Sequence, residues 1–163
     1  MNARKLASTV ASLLDSGMAH ARASAVLRGF PERRCGERPP GFAHSAWGLL
    51  EHLRLAQDDI LRYCVDPDYR EATFPDDYWP KRPEPPSAAA WKRSARAFLA
   101  DLRKAQRLTR AHAADLLASL PHVRGVTWLE EMLLIADHNA YHIGQLMLLR
   151  RALESRPARR RRK

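Results

Sequence analysis

Apolar positions along the chain repeat at helical spacing, and no stretch alternates as a strand would. Leu6, Val10, Leu13 and Leu14 predict a short amphipathic helix over residues 4–15, interrupted at Ser16-Gly17. Residues 18–28 resume an alanine-rich helical composition and stop before Gly29-Phe30-Pro31, and residues 32–41 read as loop. Ser45 is placed to cap a helix over 46–64. Six prolines between Asp66 and Pro86 predict a long irregular connection, of a length that often carries function. Ser87 is the expected cap of a third long helix, whose Trp91, Ala95, Phe98, Leu102 and Ala105 repeat at 4-3-4-3 spacing, the seam of a bundle.

Beyond Arg110 the pattern loosens, until Thr127 and Glu130 form a T-x-x-E capping box that opens a last helix over 128–153. Its run Met132-Leu133-Leu134-Ile135-Ala136 is apolar all round and is expected at the centre of the molecule. These elements predict an all-α fold: a four-helix bundle over residues 1–154, with a long crossing connection and a short extra N-terminal helix.

Composition fits such a domain, with 45% hydrophobic and 28% charged residues. No apolar run approaches the roughly 20 residues that span a bilayer, and the N-terminal segment lacks a secretory core, so the cytoplasm is the expected compartment and no membrane partner is expected. Cys35 and Cys64 leave open one disulfide or two buried thiols, the latter being commoner in a cytosolic chain. The net charge of +10 shrinks to +4 without the six cations of the last eight residues. Residues 155–163 therefore read as a basic, disordered tail with weak affinity for polyanions, and no motif for specific nucleic-acid recognition is present.

The sharpest chemical signal is Asp137-His138-Asn139-Ala140-Tyr141-His142-Ile143-Gly144-Gln145. His138 and His142 are four residues apart inside an apolar helix, so their rings share a face and can point at one atom. An imidazole without a partner is costly there, and a divalent transition metal satisfies both. Glu131, Leu134, Ile135, Gln145 and Leu149 lie on the same face. His52, in Glu51-His52-Leu53, can meet the pair across the core, and three neutral imidazoles with an open position describe a catalytic type of metal site. The competing reading is three core histidines hydrogen-bonded to neighbours.

The stretches His44-Ser45-Ala46-Trp47-Gly48-Leu49-Leu50-Glu51-His52-Leu53-Arg54 and Ala136-Asp137-His138-Asn139-Ala140-Tyr141-His142-Ile143-Gly144-Gln145-Leu146, with Tyr78-Trp79-Pro80 between them, closely resemble the DinB-like (YfiT-like) family of metalloenzymes. The resemblance covers residues 4–153. It implies a four-helix bundle, a divalent metal (Zn, Ni or Fe) held by His52, His138 and His142, frequent homodimers, and chemistry that often uses a low-molecular-weight thiol. One departure is Arg124-Gly125-Val126-Thr127, where such relatives tend to carry a G-x-G-Q-T turn.

Beside the three ligands, Glu131 is a candidate general base or partner of a ligand N–H, or else a first-turn glutamate complementing the helix dipole. Gln145, Tyr141 and Trp79 are candidates for the substrate pocket, and Asp59 is expected at a solvent-facing helix end. Two functions remain open: a metal-dependent enzyme that activates water or a thiol against a small molecule (a thiol transferase or hydrolase), and a non-catalytic metal-binding stress-response or interaction module.

Overall fold

The computed structural model describes residues 2–14 and 18–155. Its helices are α1 (Ala3–Leu14), α2 (Ala23–Arg28), α3 (Ala46–Val65), α4 (Ala90–Ala111) and α5 (Trp128–Glu154), with one 3-10 turn at Glu32–Arg34. No strand occurs among the described residues. The basic tail, Ser155 apart, lies outside them. No helix among them is long and apolar enough to cross a membrane.

α1 and α3 each pack against both α4 and α5, which gives a four-helix bundle in the ring order α1–α4–α3–α5. The short extra helix is α2, which follows α1 and lies on α5 and α4. The helix expected over residues 18–28 is thus only six residues long. Ala23, Val26 and Leu27 are its only buried side chains, while Met18 is exposed, so the earlier residues have no face to bury.

Capping explains two of the helix starts. The Ser45 hydroxyl accepts the Gly48 N–H at 3.1 Å and donates to the Pro83 carbonyl at 2.6 Å, which starts α3 and ties the long connection to it. The Thr127–Glu130 capping box opens α5 as expected. Ser87, by contrast, caps nothing with its hydroxyl. α4 begins at Ala90, and the Ser87 carbonyl takes the Ala90 N–H instead. The run 132–136 also departs from expectation: Met132, Ile135 and Ala136 are buried, but Leu133 and Leu134 are exposed. α5 is a wall of the bundle rather than its axis, so only its inner side is covered.

The core has two apolar clusters. One gathers Trp47, Leu50, Trp91, Phe98, Leu146 and Leu149, and the other Leu14, Leu61, Leu102, Trp128, Met132 and Ile135. Between them, along α3 and α5, runs a belt of buried polar side chains that includes His52, Gln57, Asn139 and His142. Cys35 and Cys64 are both buried free thiols.

Candidate metal centre

His52 sits two turns into α3, and its position follows from the Ser45 cap. His138 and His142 come from adjacent turns of α5. The three rings form a nearly equilateral triangle, with centroids 4.8 Å (52–138), 4.7 Å (52–142) and 4.6 Å (138–142) apart. One ring nitrogen from each can be chosen so that all three lie within 4.8 Å of one another, an arrangement able to hold a metal ion. Ligands at ~2.1 Å from a common ion stand about 3.4 Å apart in tetrahedral geometry, so small ring movements suffice to complete it.

Hydrogen bonding decides which nitrogens face inward. His52 Nδ1 is 2.9 Å from the Tyr78 carbonyl, which can only accept, so that nitrogen carries the proton. His142 Nδ1 is 2.7 Å from Gln145 Oε1 and donates likewise. Both neutral rings are therefore left with a lone pair on Nε2. These outer partners fix tautomer and orientation, as around metal-ligating histidines generally. Burial lowers the proton affinity of His52 and His142, and pushes His138 down to about 4 with help from its two neighbours. All three rings are neutral near pH 7, the form that ligates. Two acceptor-only nitrogens and a third ring on one point suit a cation better than an empty core.

Trp79 lies flat on His52, with centroids 4.0 Å apart and planes 3° apart, and exposed His44 stacks on Trp79 at 4.1 Å. The connection carrying Trp79 is strapped down by Asp59, which is buried rather than at a solvent-facing helix end. Its carboxylate accepts the Tyr78 hydroxyl at 2.5 Å, the Tyr69 hydroxyl at 3.0 Å and the Arg62 guanidinium at 3.2 Å. Tyr78 thus holds His52 through its carbonyl while Asp59 holds Tyr78 through its hydroxyl. Asp59→Ala is expected to loosen this strap and weaken divalent-metal binding by about 10-fold, the lower end for loss of an outer partner. Titration against a chromophoric chelator reads the change.

The structure distributes the remaining candidates unevenly. Gln145 is at the site, on His142. Tyr141 is exposed and meets His142 edge-on at 4.9 Å. Glu131 is buried on the ligand side of α5 but two turns before His138, roughly 10 Å along the axis. Its charge is felt by Tyr63 and Cys64 in the lower cluster, and burial raises its pKa. The N–H groups of His52 and His142 already have other acceptors, so Glu131 is not their partner. A cleft of about 530 Å³ opens beside the connection, lined by Trp47, Pro80, Lys81, Arg82, Glu84, Pro85 and Pro86. Gln145, Tyr141 and Trp79 do not line it. Sequence reasoning misplaced Asp59 and passed over Gln57 and Asn139. For the last two, the signal was polar amides on otherwise apolar helix faces next to the histidines.

An all-helical bundle with three converging imidazoles at mid-height defines a histidine-centred protein able to hold a metal ion. The chain belongs to the DinB superfamily, whose family model matches residues 18–146. No curated protein and no solved structure matches it.

Proposed function

We propose that this protein is a metal-dependent enzyme of the thiol-transferase or hydrolase type, acting on a small molecule in the cytoplasm with His52, His138 and His142 as its metal ligands. The observation that carries the reading is the pair of acceptor-only Nε2 atoms beside His138, each held inward by a bond at its opposite nitrogen. Only imidazoles ligate, which suits Zn, Ni or Fe. Such a cation supplies Lewis acidity that lowers the pKa of a water or thiol at an open position.

The chain's own groups do the rest. Trp79 covers one face of His52 and keeps water from it, while Gln145 holds the His142 proton away from the cluster. The exposed Tyr141 stands where a small molecule would approach His142. The two unpaired buried thiols suit a reducing compartment. A homodimer belongs to the proposal, supported by exposed Leu134, Tyr141 and Leu148 at seven-residue spacing on α5.

A second reading, a non-catalytic metal-binding module, draws on the distance of Glu131 from the rings, which removes the candidate general base from the site. Protein purified without a histidine tag is expected to carry close to one divalent metal per chain by elemental analysis, and to transfer a low-molecular-weight thiol to, or hydrolyse, at least one electrophile in a screen. Sedimentation of the same preparation reads the dimer. Metal without any turnover would favour the second reading, and absence of metal binding would remove both.

A further inference from the structure

We propose that Asn139 is the positioning residue of His138, and that its side-chain oxygen receives the His138 Nδ1 proton when a metal occupies the site. The inference rests on the metal reading above and goes beyond it, because it assigns a tautomer change and a residue that sequence did not single out.

Asn139 is buried between α3 and α5. Its amide nitrogen donates to Gln57 Oε1 at 2.8 Å, and Gln57 Nε2 donates to the Phe98 carbonyl of α4 at 2.8 Å. Phe98 offers only an acceptor, so Gln57 must present its oxygen to Asn139, and Asn139 must present its nitrogen to Gln57. The chain of amides has one orientation, and it aims the Asn139 oxygen elsewhere. That oxygen, Oδ1, is the buried side-chain polar atom without a hydrogen-bond partner among the described residues. Leaving such an acceptor unpaired is costly, so it calls for an explanation. Asn139 is the chain neighbour of His138, and its side chain acts on that ring in the sense that favours a proton.

The histidine cluster supplies the explanation. His138 Nε2 is 3.0 Å from His52 Nε2. His52 carries its proton on Nδ1, so the 3.0 Å contact is a hydrogen bond only if His138 carries its own on Nε2. His138 Nδ1 is then bare and cannot donate, which leaves Asn139 Oδ1 without a partner. Ligation through His138 Nε2 requires that nitrogen free of its proton. The neutral ring then carries the proton on Nδ1, and the unpaired oxygen of the neighbouring Asn139 is the acceptor assigned to it. All three ligands would then share one pattern, with Nε2 inward and Nδ1–H on a protein oxygen: the Tyr78 carbonyl, Gln145 Oε1 and Asn139 Oδ1.

The test compares wild type, Asn139→Ala, Asn139→Asp and Gln57→Leu with Zn²⁺ and Co²⁺ by chelator competition, and reads histidine tautomers by long-range ¹H–¹⁵N NMR. Asn139→Ala is expected to lose about 10–100-fold in affinity, as outer partners of ligating histidines do. Asn139→Asp keeps an acceptor for His138 but sets an oxygen against Gln57 Oε1, so it is expected to bind metal more tightly than Asn139→Ala while melting at a lower temperature than wild type. Gln57→Leu removes core hydrogen bonds but leaves the acceptor, so it should lower the melting temperature with a smaller loss of affinity than Asn139→Ala. His138 should read as the Nε2–H tautomer without metal and Nδ1–H with Zn²⁺. If wild type binds neither ion, the metal reading fails and takes this one with it. If wild type binds but Asn139→Ala binds equally well, or His138 keeps one tautomer throughout, the metal reading stands and the assignment to Asn139 is overturned.

Discussion

Replacing His52 with alanine is expected to weaken divalent-metal binding by more than the roughly 100-fold that loss of an outer partner costs, because it removes a ligand outright. Among the described residues His52 is the one candidate ligand on α3, and without it the α5 pair is left as an i,i+4 site on a single helix. The substitution also strips the stacking surface from Trp79 and the donor from the Tyr78 carbonyl, so the connection should loosen along with the site. His142→Ala separates the two effects. It removes a ligand and frees Gln145 but leaves the His52–Trp79–Tyr78 assembly intact. Isothermal titration of both variants, with circular dichroism to confirm the bundle, should show both losing the metal and only His52→Ala gaining protease sensitivity across residues 66–86. A His52→Ala protein with wild-type affinity would leave the three-imidazole centre without support.

How much of this was legible beforehand depended on whether a signal was local. The start of α5 is written in Thr127 and Glu130, three residues apart, and the candidate ligand pair in His138 and His142, four apart. Periodicity alone therefore placed both. His52 was legible as a polar residue on an apolar face of a well-capped helix. Periodicity assigns a face but not a height, which is why Glu131 shares the ligands' side of α5 and yet sits with Tyr63 and Cys64. It also assigns a face without saying what covers it, so Leu133 and Leu134 were expected inside. The start of α4 was blurred because Pro85-Pro86-Ser87-Ala88-Ala89 offers several equivalent ways to enter a helix.

Asp59 was misplaced for a different reason. Its partners Tyr69 and Tyr78 lie 10 and 19 residues on, in an irregular connection with no periodicity to read. The site's rigidity comes from that connection and from the Gln57–Asn139 amides, which are tertiary contacts among α3, α4 and α5. Spacing announced the candidate ligands, whereas packing supplied the partners that orient them.

Acidifying the metal-free protein from about pH 7 to about pH 5 is expected to lower its melting temperature, with the imidazole cluster as the main cause. In the unfolded chain each ring titrates at an ordinary value of about 6.5. In the folded protein burial holds His138 down to about 4 and lowers His52 and His142 as well. Between those limits the unfolded state binds protons that the folded state refuses, so stability is fully present above the unfolded value and falls as pH drops toward the folded one. For His138 alone the full effect is about 3 kcal/mol. Ordinary carboxylates titrate near ~4, and those raised by burial, Glu131 and Asp101, act with the opposite sign, so over the interval from about 6.5 to about 5 the comparison with a variant lacking the His138 ring is what isolates the cluster. Calorimetry across that interval should show a clear slope for wild type and a shallower one for His138→Leu. A fixed excess of Zn²⁺ should raise the melting temperature most at the neutral end of the interval, where burial keeps the folded rings in the form that ligates. Equal slopes with and without the His138 ring would mean that the cluster is not held in its neutral form, and the inward-facing lone pairs that make it a ligand set would lose their basis.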